Sequence, residues 1–180
     1  MSIITGRGDD GKTDLLFGRR TDKTGRRVEA LGAVDELNSA LGLARASGLE
    51  EGLEELVDEV QEKLVGLMGQ LACLPEDAAT YDEKGYAKVV EADVGWLEQQ
   101  AGIYEDRGVR FKGWARPGAE HSVARAGLDL ARSVARRAER RVWELHEQEG
   151  PLPQPVLLFF NRLSDLLWIL ARVDAEKLKH

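Results

Sequence analysis

Apolar residues recur at intervals of three and four along most of this chain, in five stretches separated by glycine, proline and polar breaks. Val28, Leu31, Val34, Leu37, Leu41 and Ala44 predict a first helix from about residue 28, with Gly48 where a C-terminal cap glycine would stand. Leu53, Leu56, Val57, Val60, Leu64, Leu67, Met68 and Leu71 predict a second over about 51–74, ended by Pro75. Ala87, Val90, Val94, Leu97, Ala101 and Tyr104 predict a third over about 84–107, with Gly108 beyond its end and Trp96 as a packing residue. A fourth, over about 122–148, has Ser122 as candidate N-cap and is broken by Gly150-Pro-Leu-Pro-Gln-Pro155. The fifth, over about 156–177, is strongly apolar through Leu157, Phe160, Leu163, Leu166, Leu167, Ile169, Leu170 and Val173. Such helices with short to medium connections predict an all-α, five-helix up-and-down bundle.

The first 27 residues break this period. They are glycine-rich and charged, yet carry Leu15-Leu-Phe17, which predicts an ordered loop rather than a tail. Residues 1–180 therefore read as a single domain, with a loop over 1–27 and the bundle over 28–180. No internal repeat is evident.

Charge changes the picture on the fourth helix. Six arginines and two acids lie between Arg125 and Arg141, a local excess of positive charge in a chain whose net charge is −7. At about 100° per residue, Arg125, Asp129, Arg132, Arg136, Glu139, Arg140 and Trp143 share one side. Ala124, Ala131, Val134, Ala135, Ala138, Val142 and Leu145 lie roughly opposite. A solvated face laced with pairs such as Arg125–Asp129 or Arg136–Glu139 is one reading. The use of arginine throughout, with no lysine, favours recognition of phosphate or carboxylate by the planar guanidinium fork.

Other chemistry is sparse. The single cysteine, Cys73, excludes a disulfide framework and a thiolate metal site, and its apolar run predicts a buried structural thiol. His121 has no second ligand-type residue at metal spacing, so no zinc site is expected. The acidic net charge argues against a general nucleic-acid binder. The absence of a signal-like segment or a span of roughly 20 apolar residues predicts a cytoplasmic protein with no membrane partner. Gly6-Arg-Gly-Asp-Asp-Gly-Lys12-Thr13 matches the P-loop pattern by letter, but only Ile3-Ile4 precedes it and no helix signal follows Thr13. Phosphate binding in another geometry stays open, with Lys12, Lys23 and backbone amides as donors. Phe111 and Trp114 sit in an irregular Gly- and Pro-containing stretch that is either a lid on the core or an aromatic surface for a flat ligand. Asn161-Arg162-Leu-Ser164-Asp165 is a polar cluster in an otherwise buried helix, expected to face a site or a subunit boundary.

Three blocks together resemble one family. They are Thr5-Gly-Arg-Gly-Asp-Asp-Gly-Lys-Thr13 followed by Lys23, Gly32-Ala-Val-Asp-Glu-Leu-Asn-Ser39, and Arg132-Ser-Val-Ala-Arg-Arg-Ala-Glu-Arg140 followed by Asn161-Arg-Leu-Ser-Asp-Leu-Leu167. In this order, over nearly the whole chain, they resemble the PduO-type ATP:cob(I)alamin adenosyltransferases. The resemblance implies a ferritin-like bundle assembled as a homotrimer with active sites between subunits. It implies transfer of the 5′-deoxyadenosyl group of ATP to cob(I)alamin, with release of triphosphate and assistance from Mg²⁺. It places ATP against Thr5, Gly6, Arg7, Gly8, Thr13, Asp14, Lys23, Arg136, Arg137, Ala138, Glu139, Arg140 and Asn161. Arg136 and Arg140 would act on the reacting nucleotide, and Asp35 would pair with Arg136 across the subunit boundary. A corrinoid reductase and an adenosylcobalamin-dependent enzyme are the implied partners. The family's aromatic residue for displacing the lower corrin ligand falls on Trp114, with Phe111 second, but Trp114-Ala-Arg-Pro117-Gly118-Ala119 departs from the usual Phe-x-x-Pro-Gly-Gly. Two alternatives are a non-catalytic bundle that holds ATP or adenosylcobalamin, and a P-loop NTPase using Gly6–Thr13.

Overall fold

A computed structural model of the chain describes residues 4–110, 113–119 and 121–173. Its helices are α1 (Arg26–Ala46), α2 (Leu53–Ala72), the short α3 (Ala78–Glu83), α4 (Glu91–Asp106), α5 (Val123–Glu149) and α6 (Gln154–Leu170). The five long helices form the bundle expected from the periodicity. Ahead of them stands an antiparallel hairpin, β1 (Lys12–Asp14) and β2 (Arg20–Asp22), with Lys12 opposite Asp22 and Asp14 opposite Arg20. The glycine-rich sequence gave no strand signal there.

In the bundle, α1 packs between α2 and α5, α5 packs on α6, and α6 packs on α4. The core is continuous through Leu37 and Leu41 of α1, Leu64 and Leu67 of α2, Leu128 and Leu145 of α5, and Phe159 and Phe160 of α6. Each such side chain contributes about 1.5–3 kcal/mol by leaving water. Ion pairs fix the direction of α5 against α1. Glu50 beyond the end of α1 meets Arg125 at 2.7 Å, Glu36 meets Arg137, and Arg26 meets Glu144 at 3.5 Å. Numbers rise along one helix as they fall along the other, so the two are antiparallel. Their backbones approach closely at Gly127, where a Cβ would lie 2.9 Å from the Cβ of Ala44.

Several boundaries differ from the sequence reading. The third long helix begins at Glu91, not near residue 84, because the chain before it is committed elsewhere. Ala87 lies against Gly66, its carbonyl accepts from the Tyr81 hydroxyl at 2.7 Å, and the Val89 amide donates to Gln70 at 3.2 Å. The Asp93 carboxylate then accepts the Val90 amide at 2.9 Å and caps the helix. The last helix ends at Leu170 rather than near 177, and residues 174–177 lie outside the described residues. Arg172 donates to the Trp168 carbonyl at 2.8 Å there. Ser122 does cap α5, accepting from the Arg125 amide at 3.3 Å.

The charged side of α5 also needs correction. Arg125 and Asp129 are buried, and they do not pair with each other. Arg125 pairs with Glu50, while Asp129 pairs with Arg132 at 3.3 Å and Arg172 at 3.1 Å. Burial is tolerated because each charge is matched. Cys73 is half-buried rather than buried. It caps the end of α2, and burial pushes its thiol pKa up. Among the described residues no helix is long and apolar enough to cross a membrane.

Candidate functional site

The hairpin gathers most of the N-terminal candidates. Gly6 takes φ +68, and the chain turns tightly through bonds from the Asp9 amide to the Gly6 carbonyl and from the Gly11 amide to the Gly8 carbonyl. A Cβ on Gly8 would lie 3.0 Å from Lys23 Nζ and 3.3 Å from the Lys12 carbonyl oxygen. The absence of a side chain is what lets the Lys23 ammonium rest over this turn. Lys23 is held in place by its own amide, which donates to the Gly11 carbonyl at 2.9 Å.

Arg20 was not among the sequence's candidates, yet it organises the loop. It pairs with Asp10 at 2.9 Å and Asp14 at 3.3 Å, and donates to the Arg7 carbonyl at 3.0 Å. Arg7 pairs with Asp14 at 3.2 Å. The Lys12 amide, and then Arg20, hold the Asp10 carboxyl below the usual carboxylate range. Recognition of the hairpin would have revealed Arg20, since it stands opposite Asp14 across the strands. The result is an exposed turn in which Asp10 and Asp14 are neutralised by Arg20 and Arg7, with Lys23 and Thr13 beside it. Gly6-to-Thr13 runs into a strand rather than a helix, so it lacks the helix N-terminus that gives a P-loop its geometry.

On α5 the candidates divide. Arg137 is taken by Glu36 of α1, and Ala138 is buried in the core. Arg140 is exposed and donates to the Arg136 carbonyl at 2.8 Å. Arg136 is exposed, and its guanidinium makes no hydrogen bond or ion pair among the described residues. Glu139 and Asp35 likewise have no side-chain partner among the described residues, and Asp35 is exposed on α1. On α6, Asn161 accepts from Arg162 at 2.7 Å, and Arg162 reaches Glu98 of α4 at 2.5 Å. Ser164 is buried and donates to the Asn161 carbonyl at 3.0 Å.

Within one chain the two halves of the candidate set are not joined. Among the described residues, no hydrogen bond or ion pair links the side chains of Thr5–Lys23 to Arg136, Arg140 or Asn161. Trp114 is fully exposed in the segment leading to α5, and Phe111 lies outside the described residues. An apolar cleft of about 290 Å³ opens where α2 ends and α6 begins, lined by Leu71, Pro75, Tyr81 and Leu152 beside the buried Arg27. None of the sequence's candidate residues lines it.

Comparison with known proteins agrees with the three motif blocks. A family model described as cobalamin adenosyltransferase matches residues 3–174. A corrinoid adenosyltransferase of Bacillus subtilis is 40% identical over 178 residues, with 96% of this chain and 86% of that protein covered. The corrinoid adenosyltransferase PduO of Salmonella typhimurium is 35% identical over 174 residues; 97% of this chain is covered, but only 50% of that longer protein. The fold is similar to that of a variant PduO-type ATP:corrinoid adenosyltransferase from Lactobacillus reuteri complexed with cobalamin and ATP. The TM-score is 0.83 at 30% identity, with 99% of this chain and 96% of that chain covered. This chain belongs to the cobalamin adenosyltransferase family, with the PduO-type corrinoid enzymes as its relatives.

Proposed function

We propose that the protein transfers the 5′-deoxyadenosyl group of ATP to the cobalt of cob(I)alamin or a related corrinoid. The Co(I) electron pair attacks C5′ of ATP. The cobalt–carbon bond forms, the C5′–O bond breaks, and triphosphate leaves with the bonding electrons, so that cobalt ends formally as Co(III). The observation that carries this reading is the pair of exposed arginines, Arg136 and Arg140, on a helix whose other arginines are mostly occupied by acids.

Cob(I)alamin is already a powerful nucleophile, so no general base is required. The protein's tasks are to align C5′ with cobalt and to stabilise the departing charge. Alignment is worth up to about 7–11 kcal/mol. Arg136, Arg140 and Lys23 would hold the triphosphate, with the amides around Gly6 and Gly8 as further donors. Thr5, Arg7, Thr13 and Asp14 would shape the turn, and Asn161 would orient the nucleotide from α6. Arg137 and Ala138 would support this surface through Glu36 and the core.

Mg²⁺ fits this site as a companion of the nucleotide. Among the described residues no group of three acids, histidines or cysteines is arranged to hold a metal. Glu139, without a side-chain partner among the described residues, stands between the two arginines in sequence. One carboxylate together with substrate phosphates is the usual setting for Mg²⁺. When bound, the ion would neutralise part of the triphosphate charge.

The homotrimer is part of the same reading. Asp35 and Arg136 flank the internal Glu36–Arg137 pair, and with no side-chain partner among the described residues both could meet counterparts on a second copy. An active site between subunits would bring one copy's hairpin to another's α5. Trp114, exposed beside the start of α5, would displace the lower corrin ligand, with Phe111 as the second candidate. A reductase supplying cob(I)alamin and an enzyme that uses adenosylcobalamin would be its partners in the cytoplasm. Anaerobic mixing with ATP, Mg²⁺ and chemically reduced cobalamin should convert the corrin spectrum to that of adenosylcobalamin. Tight corrinoid binding without any turnover would instead support a carrier.

A further inference from the structure

We propose that Arg19 and Asp77, together with Phe17 and Tyr86, are positioning residues for the nucleotide: a latch that fixes the hairpin to the bundle. This rests on the reading above that the hairpin meets the triphosphate. A two-stranded hairpin is marginal by itself in water, and among the described residues of Lys12–Asp22 only Leu15 is buried. Something outside the hairpin must set where Gly8 and Lys23 stand.

The turn between the strands supplies it. Arg19 Nε and Nη2 each donate to an Asp77 carboxylate oxygen, both at 2.7 Å, in a forked pair. Asp77 lies 58 residues away, ahead of α3, and its side chain is only 14% exposed. Beside it the Phe17 ring stacks on Tyr86, with centroids 6.3 Å apart and planes 11° from parallel. Tyr86 meets Tyr81 edge-on at 5.1 Å, and Tyr81 is buried with its hydroxyl on the Ala87 carbonyl. Phe17 takes φ +57, a conformation that non-glycine residues seldom adopt. The contacts thus run from the hairpin turn to a buried tyrosine.

The division of labour is clear from the register. The latch holds the closed end of the hairpin, while Gly8, Lys12 and Lys23 lie at the open end. Arg19 is occupied by Asp77, and Arg20 by Asp10 and Asp14, so neither is free to take phosphate. This separates the latch from a direct contact. If Arg19 bound ATP and Asp77 merely competed for it, Asp77→Ala would lower KM for ATP. A latch requires Asp77→Ala and Arg19→Ala to raise it together.

The test uses the full chain with ATP and reduced cobalamin. Asp77→Ala and Arg19→Ala should each raise KM for ATP by about tenfold, in line with loss of a hydrogen-bonded charge pair, while KM for the corrinoid and the melting temperature stay put. The exchanged pair Arg19→Asp with Asp77→Arg should recover most of the loss. In the protein without substrates, amide exchange at Leu15 and Lys23 should speed up in the single variants while α1 and α5 are unchanged. An unchanged KM for ATP with unchanged exchange, or a lowered KM in Asp77→Ala, overturns the latch. So does loss of KM for both substrates together with a collapsed melting temperature. Faster exchange in the variants of a chain whose parent makes no adenosylcobalamin would overturn the proposed reaction and leave the latch standing.

Discussion

Replacing Arg136 with alanine separates the chemistry of α5 from its architecture. The side chain is exposed and bonded to nothing among the described residues. The hydrogen bond from Arg140 goes to the backbone carbonyl of this residue and survives truncation. Loss of the side chain should therefore change stability by no more than about 0.5 kcal/mol. At about 2–4 °C per kcal/mol for a chain of this size, the melting temperature should move by less than about 2 °C. If the guanidinium bonds the departing triphosphate, turnover should fall by about 10²–10³, equivalent to ~2.7–4 kcal/mol of transition-state stabilisation. Arg136→Lys keeps the charge but loses the fork, and should lie between. Arg141→Ala is the control. Arg141 already pairs with Glu144 at 3.0 Å, and its loss should leave kcat/KM within about threefold, as for an exposed ion pair. The assay is the anaerobic rise of the adenosylcobalamin spectrum, with thermal melts on the same samples. Arg136→Ala with kcat/KM equal to the parent's would refute the assignment of this helix face to the nucleotide.

Other consequences are equally direct. Gly127→Ala places a methyl 2.9 Å from the Ala44 Cβ, and overpacking of about 1–3 kcal/mol should outweigh the ~1 kcal/mol gain in helix propensity and lower the melting temperature. Gly95→Ala on α4 meets nothing within 4 Å and should raise it instead. Arg19 holds the Asp77 carboxyl below its ordinary value of 3.8, so this pair's contribution is complete above that pH and is lost as the pH falls through the lowered value. The NMR ring signals of Phe17 and Tyr86 should hold from neutral pH to about 4 and change only in stronger acid. Burial raises the Cys73 pKa, so iodoacetamide should alkylate it more slowly than a free thiol at neutral pH, with the rate rising above the ordinary thiol value of 9.0. Trp114→Ala should raise KM for the corrinoid and leave KM for ATP alone, read from two substrate titrations.

Most of the bundle was legible because local spacing carries it. Leu37 and Leu41 on α1, and Val134, Ala138 and Val142 on α5, are buried as the three-and-four period requires. The start of α4 was not, because Ala87 and Val90 keep helical spacing while the tertiary contacts of Gly66, Gln70 and Tyr81 hold the chain extended. Arg125 and Asp129 looked like a solvated pair. Asp129 keeps one local partner in Arg132, but Glu50, which pairs with Arg125, and Arg172, which pairs with Asp129, lie 75 and 43 residues away, and no local pattern announces them. The same holds for the candidate site. The arginine motif and the glycine loop were visible as residues in order. The hairpin that shapes the loop was hidden by its glycine-rich composition. The Arg20 pairs that neutralise Asp10 and Asp14, and the Arg19–Asp77 fork, needed the register and the fold.

The central claim is that the α5 arginines and the N-terminal hairpin grip one triphosphate. A crystal structure of the protein with ATP and Mg²⁺ tests it most directly. Triphosphate density should lie within hydrogen-bond distance of Arg136 and Arg140, closed by the Gly6–Gly8 turn and Lys23 of a neighbouring copy. Nucleotide density elsewhere, with those arginines turned to solvent, would contradict it.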